Sequence, residues 1–153
     1  MSDSLYPFTN FNFSVEISVP GQKSPLCKAS FSDCDGLEMS MDIKTIREGG
    51  NNNHQVRFSG PTNFATLTLK RGMTSDDFEL WSWFTRVQAD PSIRASAEVV
   101  ILAADGATER ARFILERCLP IKLKAPPLNG KDASVAIEEL QIAYEGLSIK
   151  TGG

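Results

Sequence analysis

The chain has 153 residues, 41% of them hydrophobic and 23% charged, with a formal net charge of −3. That length suits a single domain over residues 1–153, able to bury a core without disulfides or a metal. No apolar run approaches the ~20 residues of a membrane span, so no membrane anchor is expected, and the 16 basic residues form no stripe of the kind that tight nucleic-acid binding requires.

The opening Met1-Ser2-Asp3-Ser4 lacks the basic and apolar regions of a signal peptide, so folding in the cytoplasm is expected. Cys27, Cys34 and Cys118 are an odd count without metal-ligand spacing, which suits reduced, buried or half-buried thiols. Residues 11–19 alternate apolar Phe11, Phe13, Val15, Ile17 and Val19 with polar neighbours, the period of a half-buried strand. Pro20-Gly21 ends it, and a second short strand is expected at 27–31. Over 37–44 the alternation returns: Leu37, Met39, Met41 and Ile43 form an apolar face, and Glu38, Ser40, Asp42 and Lys44 the polar one. Arg47, Glu48, Gly49, Gly50, Asn51, Asn52, Asn53 and His54 follow, dense in residues that tolerate positive φ. They read as the exposed tip of an extended hairpin over about 37–60, with 55–58 as the returning strand and another strand at 65–70 after Gly60-Pro61.

A helix is expected over about 74–89: Thr74 precedes Asp77 in capping-box spacing, and Pro91 lies beyond its end. Phe78, Trp81, Trp83 and Phe84 form its core side, with the two tryptophans plugging the open side of a sheet. Strands at 97–103 and 108–118 are joined across Asp105-Gly106, a strong hairpin signal. The stretch 119–131, with Pro126-Pro127 and Asn129-Gly130, reads as a surface linker. A last strand runs over 133–144. Its apolar phase changes at Glu138-Glu139, which suggests a bulge or a change of sheet with those acids facing solvent or a neighbouring subunit. The fold class is therefore mainly β: a small antiparallel β-barrel or two-sheet sandwich with one flanking helix.

Chemistry is hard to place on this chain. The one histidine, His54, sits in the Asn-rich tip, and Ser59 lies in no Gly-x-Ser-x-Gly elbow. Neither phosphate-loop glycine pattern occurs, and a calcium loop starting at Asp33 would place Glu38 at its turn glycine and Lys44 at its bidentate glutamate. No catalytic, cofactor-binding or metal site is expected, and the chain reads as a non-enzyme.

The order of elements resembles a known family. The segments that carry the resemblance are Phe13-Ser14-Val15-Glu16-Ile17, Ser32-Asp33-Cys34-Asp35-Gly36-Leu37, Ile46-Arg47-Glu48-Gly49-Gly50-Asn51 and Leu67-Thr68-Leu69-Lys70-Arg71-Gly72. They continue with Leu80-Trp81-Ser82-Trp83, Pro120, Pro127-Leu128-Asn129, Ile137-Glu138-Glu139-Leu140 and Tyr144-Glu145-Gly146-Leu147. Nearly the whole chain resembles the tail tube proteins of contractile phages and contractile injection systems, more distantly related to the type VI secretion tube protein. The cysteines are not part of that pattern.

The resemblance implies a structural subunit, six to a ring, with rings stacked into a hollow tube for DNA or an effector protein. It implies a sheath outside and baseplate or initiator and terminator proteins at the ends, all assembled in the cytoplasm into a phage tail or an injection particle. It places Arg47 to His54 against neighbouring subunits, and gives Glu38, Ser40, Asp42 and Lys44 a wet lumen to face while Leu37, Met39, Met41 and Ile43 are expected to pack on the barrel core. The alternatives are a baseplate or tube-initiator paralogue of the same fold, or a monomeric β-barrel binding module.

Overall fold

The computed structural model describes residues 12–21, 27–29, 31–47, 55–72, 78–128, 130 and 136–151. Its strands are β1 (Asn12–Ser18), β2 (Cys27–Ala29), β3 (Asp33–Asp35), β4 (Met39–Arg47), β5 (Gln55–Phe64) and β6 (Leu67–Gly72). One helix, α1 (Glu79–Ala89), precedes β7 (Ala95–Leu102), β8 (Glu109–Lys124), β9 (Ile137–Ala143) and β10 (Gly146–Thr151).

The period-two runs become strands because alternate side chains share one face. In β1, Val15 and Ile17 are fully buried, and so are Leu67 and Leu69 in β6 and Ile142 in β9. Eight strands form one antiparallel sheet in the order β2-β1-β7-β8-β9-β6-β3, with β10 beside β8. The two ends of that order, β2 and β3, do not pair with each other, so the sheet is folded over but not closed into a barrel.

The fold-over is made by β8, which is 16 residues long. Its first part pairs with β7 on one side and β10 on the other, and its last part, from Leu119 to Lys124, pairs with β9. Arg117, between those parts, adopts φ 53, the left-handed region a side chain normally avoids. The Glu145 N–H donates to the Glu116 carbonyl at 2.9 Å, and Arg117 Nε lies 2.7 Å from Glu145 Oε2, so both partner strands are held at the same corner.

Three sequence expectations are corrected here. The stretch 119–131 is not all linker: β8 continues through it to Lys124, and Pro120 and Pro126 are buried. Proline fits because β8 has no β7 partner beyond Cys118, leaving that edge with no ladder bond to donate. The bulge or change of sheet expected at Glu138-Glu139 is absent, since β9 pairs with β6 in unbroken register on both sides of that point, and the register shift lies instead between Pro120 and Lys122 of β8. Glu138 also does not face solvent. It lies in phase with Leu140 and Ile142 and is only 2% exposed.

That buried carboxylate ties the helix to the sheet. Arg71 Nε donates to Glu138 Oε1 at 2.5 Å and Trp81 Nε1 donates to Glu138 Oε2 at 3.1 Å. The Arg71 guanidinium also sits 5.5 Å from the centre of the Phe31 ring. Removing Arg71 would leave the Glu138 carboxylate buried without its cation, the expensive way to break such a pair. Of the expected helix-core residues, Trp83 is fully buried beside Leu80, whereas Trp81 and Phe84 are half-buried. Phe78 is a correction: it stands at the N-cap, before the helix turns inward, and is 51% exposed. The Thr74–Asp77 capping box lies outside the described residues.

β4 and β5 pair only with each other, as a ribbon separate from the main sheet. Its root is fixed by Tyr144, which is 5% exposed and donates from its hydroxyl to the Gly36 carbonyl at 2.6 Å while accepting the Glu38 N–H at 3.2 Å. The Ala65 N–H donates to the Glu38 carbonyl at 3.1 Å, and the Phe64 ring packs 5.4 Å from the Tyr144 ring. Gly36 holds φ 109, and a Cβ there would lie 2.0 Å from the Thr66 carbonyl oxygen.

Two stability tests come from this packing. Gly36→Ala is expected to cost several kcal/mol or abolish soluble expression, because strain and a backbone clash add, while Gly106→Ala, with φ 73 but open space, should cost about 1 kcal/mol. Equal losses in denaturant unfolding would contradict the root geometry. Trp83→Ala should cost on the order of 4 kcal/mol as a core truncation, and Trp81→Phe about 2 kcal/mol, because it strips a donor from a buried carboxylate. A Trp81→Phe midpoint equal to wild type would show that the hydrogen bond contributes nothing.

Candidate assembly interface

The ribbon carries more exposed apolar surface than any other described part of the chain. Met39 is 60% exposed, Met41 53%, Ile43 59%, Ile46 54% and Phe58 49%. The sequence expectation that Met39, Met41 and Ile43 lie on the core is therefore wrong. They alternate as a strand should, but among the described residues no third strand pairs with the ribbon, and these side chains stay exposed. Leu37, just before the ribbon, does pack against the core.

The register sorts the two faces. Met39 opposes Phe64, Met41 opposes Thr62, Ile43 opposes Ser59 and Thr45 opposes Arg57, so one face is apolar from its root and ends in a cation. On the other face, Ser40 opposes Asn63, Lys44 opposes Phe58 and Ile46 opposes Val56, with Asn63 Nδ2 donating to Asp42 Oδ1 at 3.1 Å. A register shift between Met41 and Ile43 sets Asp42 against Gly60-Pro61. A Cβ on Gly60 would meet the Asp42 carbonyl oxygen at 2.6 Å, so the glycine is required there. Gly60-Pro61 consequently does not end a strand, as the sequence suggested; it lies within β5.

Glu38, Ser40, Asp42 and Lys44 are all exposed, and the backbone of Glu38 belongs to the Tyr144 anchor. Arg47 closes β4 opposite Gln55. Glu48, Gly49, Gly50, Asn51, Asn52, Asn53 and His54 lie outside the described residues.

Beside β3 a cleft of about 720 Å³ opens between the two halves of the folded sheet. Phe13, Val99 and Ile101 supply apolar lining from β1 and β7, while Asp33, Asp35 and Glu139 supply carboxylates from β3 and β9. Lys70 Nζ lies 3.8 Å from Glu139 Oε1 and Lys122 Nζ 3.8 Å from its Oε2, so Glu139 is compensated. Cys34 also lines the cleft, and burial, with the Asp35 charge second, pushes its thiol up to about 11. It and Cys118, which burial pushes up to about 12, are free thiols held in the unreactive protonated form. Among the described residues no group of three or more His, Cys, Asp or Glu side chains is placed to hold a metal, and no helix is long and apolar enough to cross a membrane.

The sequence missed Ile46 and Phe58 as exposed apolar residues and Asp33 and Asp35 as cleft walls.

The fold is shared with chains of contractile particles. It superposes on a chain of the anti-feeding prophage baseplate with a TM-score of 0.81 at 22% identity, covering 95% of this chain and 97% of that one. A chain of the sheath–tube complex of the extracellular contractile injection system PVC gives 0.81 at 18% identity, covering 95% and 93%. Hcp1 from Flavobacterium johnsoniae gives 0.52 at 14% identity, covering 91% and 96%. No curated protein matches the chain. The family described as T4-like virus tail tube protein gp19 matches residues 9–148, and this chain therefore belongs to that family of structural tail tube proteins.

Proposed function

We propose that the chain is the repeating subunit of the inner tube of a contractile tail or contractile injection system, six copies to a ring, with rings stacked into a hollow conduit. The observation that carries the reading is the β4–β5 ribbon, rigidly rooted by Tyr144 and Gly36 yet uncovered on both faces. A soluble chain gains from hiding such a surface against another copy, and a closed ring also covers sheet edges that a monomer leaves open. In this reading the sheath lies outside, baseplate and terminator proteins cap the ends, and DNA or an effector protein passes through the lumen. Ser40, Asp42 and Lys44, with Glu38 in the same phase, face that lumen, where their mixed charge holds no cargo tightly. Assembly takes place in the cytoplasm.

A second reading has a specific observation behind it. The matches include a baseplate chain at a TM-score of 0.81 and a tube-terminating cap chain of the anti-feeding prophage at 0.79, so a short initiator or cap ring made of the same fold is the alternative. A main tube subunit polymerises to lengths of many rings, whereas an initiator or cap stops at one or two.

The segment from Arg47 to His54 gives the test. Replacing Arg47-Glu48-Gly49-Gly50-Asn51-Asn52-Asn53-His54 by Asn-Gly should leave a folded domain, because the ribbon root and the main sheet do not depend on it. Tube formation, followed by electron microscopy with the baseplate present, should be lost. Tubes of wild-type length from the shortened chain would remove this segment from assembly, and a non-native circular dichroism spectrum would place it in the fold.

A further inference from the structure

We propose that the cleft beside β3 is the seat for the β4–β5 ribbon of a second copy of this chain; the proposal rests on the tube-subunit reading and names its receptor site. The cleft and the ribbon match in chemistry. The ribbon face offers Met39, Met41 and Ile43 and then Arg57, while the cleft offers Phe13, Val99 and Ile101 beside Asp33 and Asp35. A volume of about 720 Å³ falls within the roughly 300–1,000 Å³ of sites that bury a partner group deeply, enough to take a few side chains of this size. Methionine, unbranched and adaptable, suits an inserted surface that must fit a preformed cleft.

The charges point the same way. Among the described residues, Arg57 has no ion-pair partner within its own chain, and neither does Asp33 or Asp35. Glu139, by contrast, is already flanked by Lys70 and Lys122. Uncompensated acids therefore sit in the cleft and an uncompensated cation on the ribbon.

The ribbon cannot occupy the cleft of its own chain, since Met39, Met41 and Ile43 remain more than half exposed. Donor and receptor thus lie at different places on one molecule, so each copy gives one ribbon and takes one. Such a head-to-tail contact closes into a ring when its rotation permits, whereas an isologous contact would stop at a dimer. The competing account of Asp33 and Asp35 is that they only guard the exposed edge of the short strand β3 against stray pairing. Reversing their sign separates the two, because lysines guard an edge as well as aspartates do.

The experiment uses full-length chains: Asp33→Lys with Asp35→Lys as a cleft-reversed form, and Arg57→Glu as a ribbon-reversed form. All three positions are exposed, so native circular dichroism is expected for both. Like charges then meet at every contact, and each form alone should lower the assembled fraction by about tenfold in sedimentation and electron microscopy. Mixed in equal amounts, the reversed ribbon meets the reversed cleft and each wild-type ribbon meets a wild-type cleft, so the mixture should assemble as alternating subunits to within about threefold of wild type. A cleft-reversed form that assembles normally, or a mixture no better than its components, overturns the proposal while leaving the tube reading intact if wild type still forms tubes. Wild type that forms no rings or tubes under any of these conditions overturns both.

Discussion

Tyr144 closes the buried side of the sheet where β9 gives way to β10, and a hydroxyl on so buried a side chain needs partners in the protein. It finds them in the backbone on either side of Leu37, the last residues before the ribbon begins. A hydroxyl anchored in the core thus sets the direction in which β4 leaves the domain. Gly36 is the matching constraint on the chain itself, since only a residue without Cβ lets the backbone pass Thr66 at this angle. The ribbon is exposed along its length but rigid at its root. That combination loses little conformational freedom when it docks, which is what a repeated assembly contact needs.

The rest of the domain serves as a platform for that projection. The corner at Arg117 folds one long sheet back on itself, and the Arg71–Glu138–Trp81 network locks α1 onto the result. A second ion-paired group, Arg112 with Glu98 and Glu109, lies across β7 and β8 but is partly exposed and contributes less. Stiffness in the platform and exposure in the ribbon are complementary. A tube wall transmits load through its subunits, so the contacts between them have to be held by something that does not yield.

Much of this was legible in the sequence. The period-two runs at Val15 and Ile17 and at Leu67 and Leu69 identified core strands, and Pro91 marked the end of the helix just beyond Ala89. What failed did so for physical reasons. Alternation says which residues share a face and nothing about whether a second layer exists to cover it, so Met39, Met41 and Ile43 were read as core when they are the opposite. The change of apolar phase at Glu138-Glu139 suggests surface acids, yet Glu138 sits in phase with Leu140 and Ile142, as Arg71 does with Leu67 and Leu69. Two opposite charges in the buried phase of different strands are a legible sign of an internal pair. Prolines in 119–131 suggest a linker, but proline is also tolerated along a strand edge that has no partner, as at Pro120.

We propose that the β4–β5 ribbon packs between molecules and not within one. A cryo-electron microscopy reconstruction of tubes grown from the wild-type chain tests it most directly. The account requires six-fold rings in which Met39, Met41 and Ile43 are buried against an adjacent subunit. Rings in which those three side chains face open solvent or the lumen, with no neighbouring chain in contact, would contradict it.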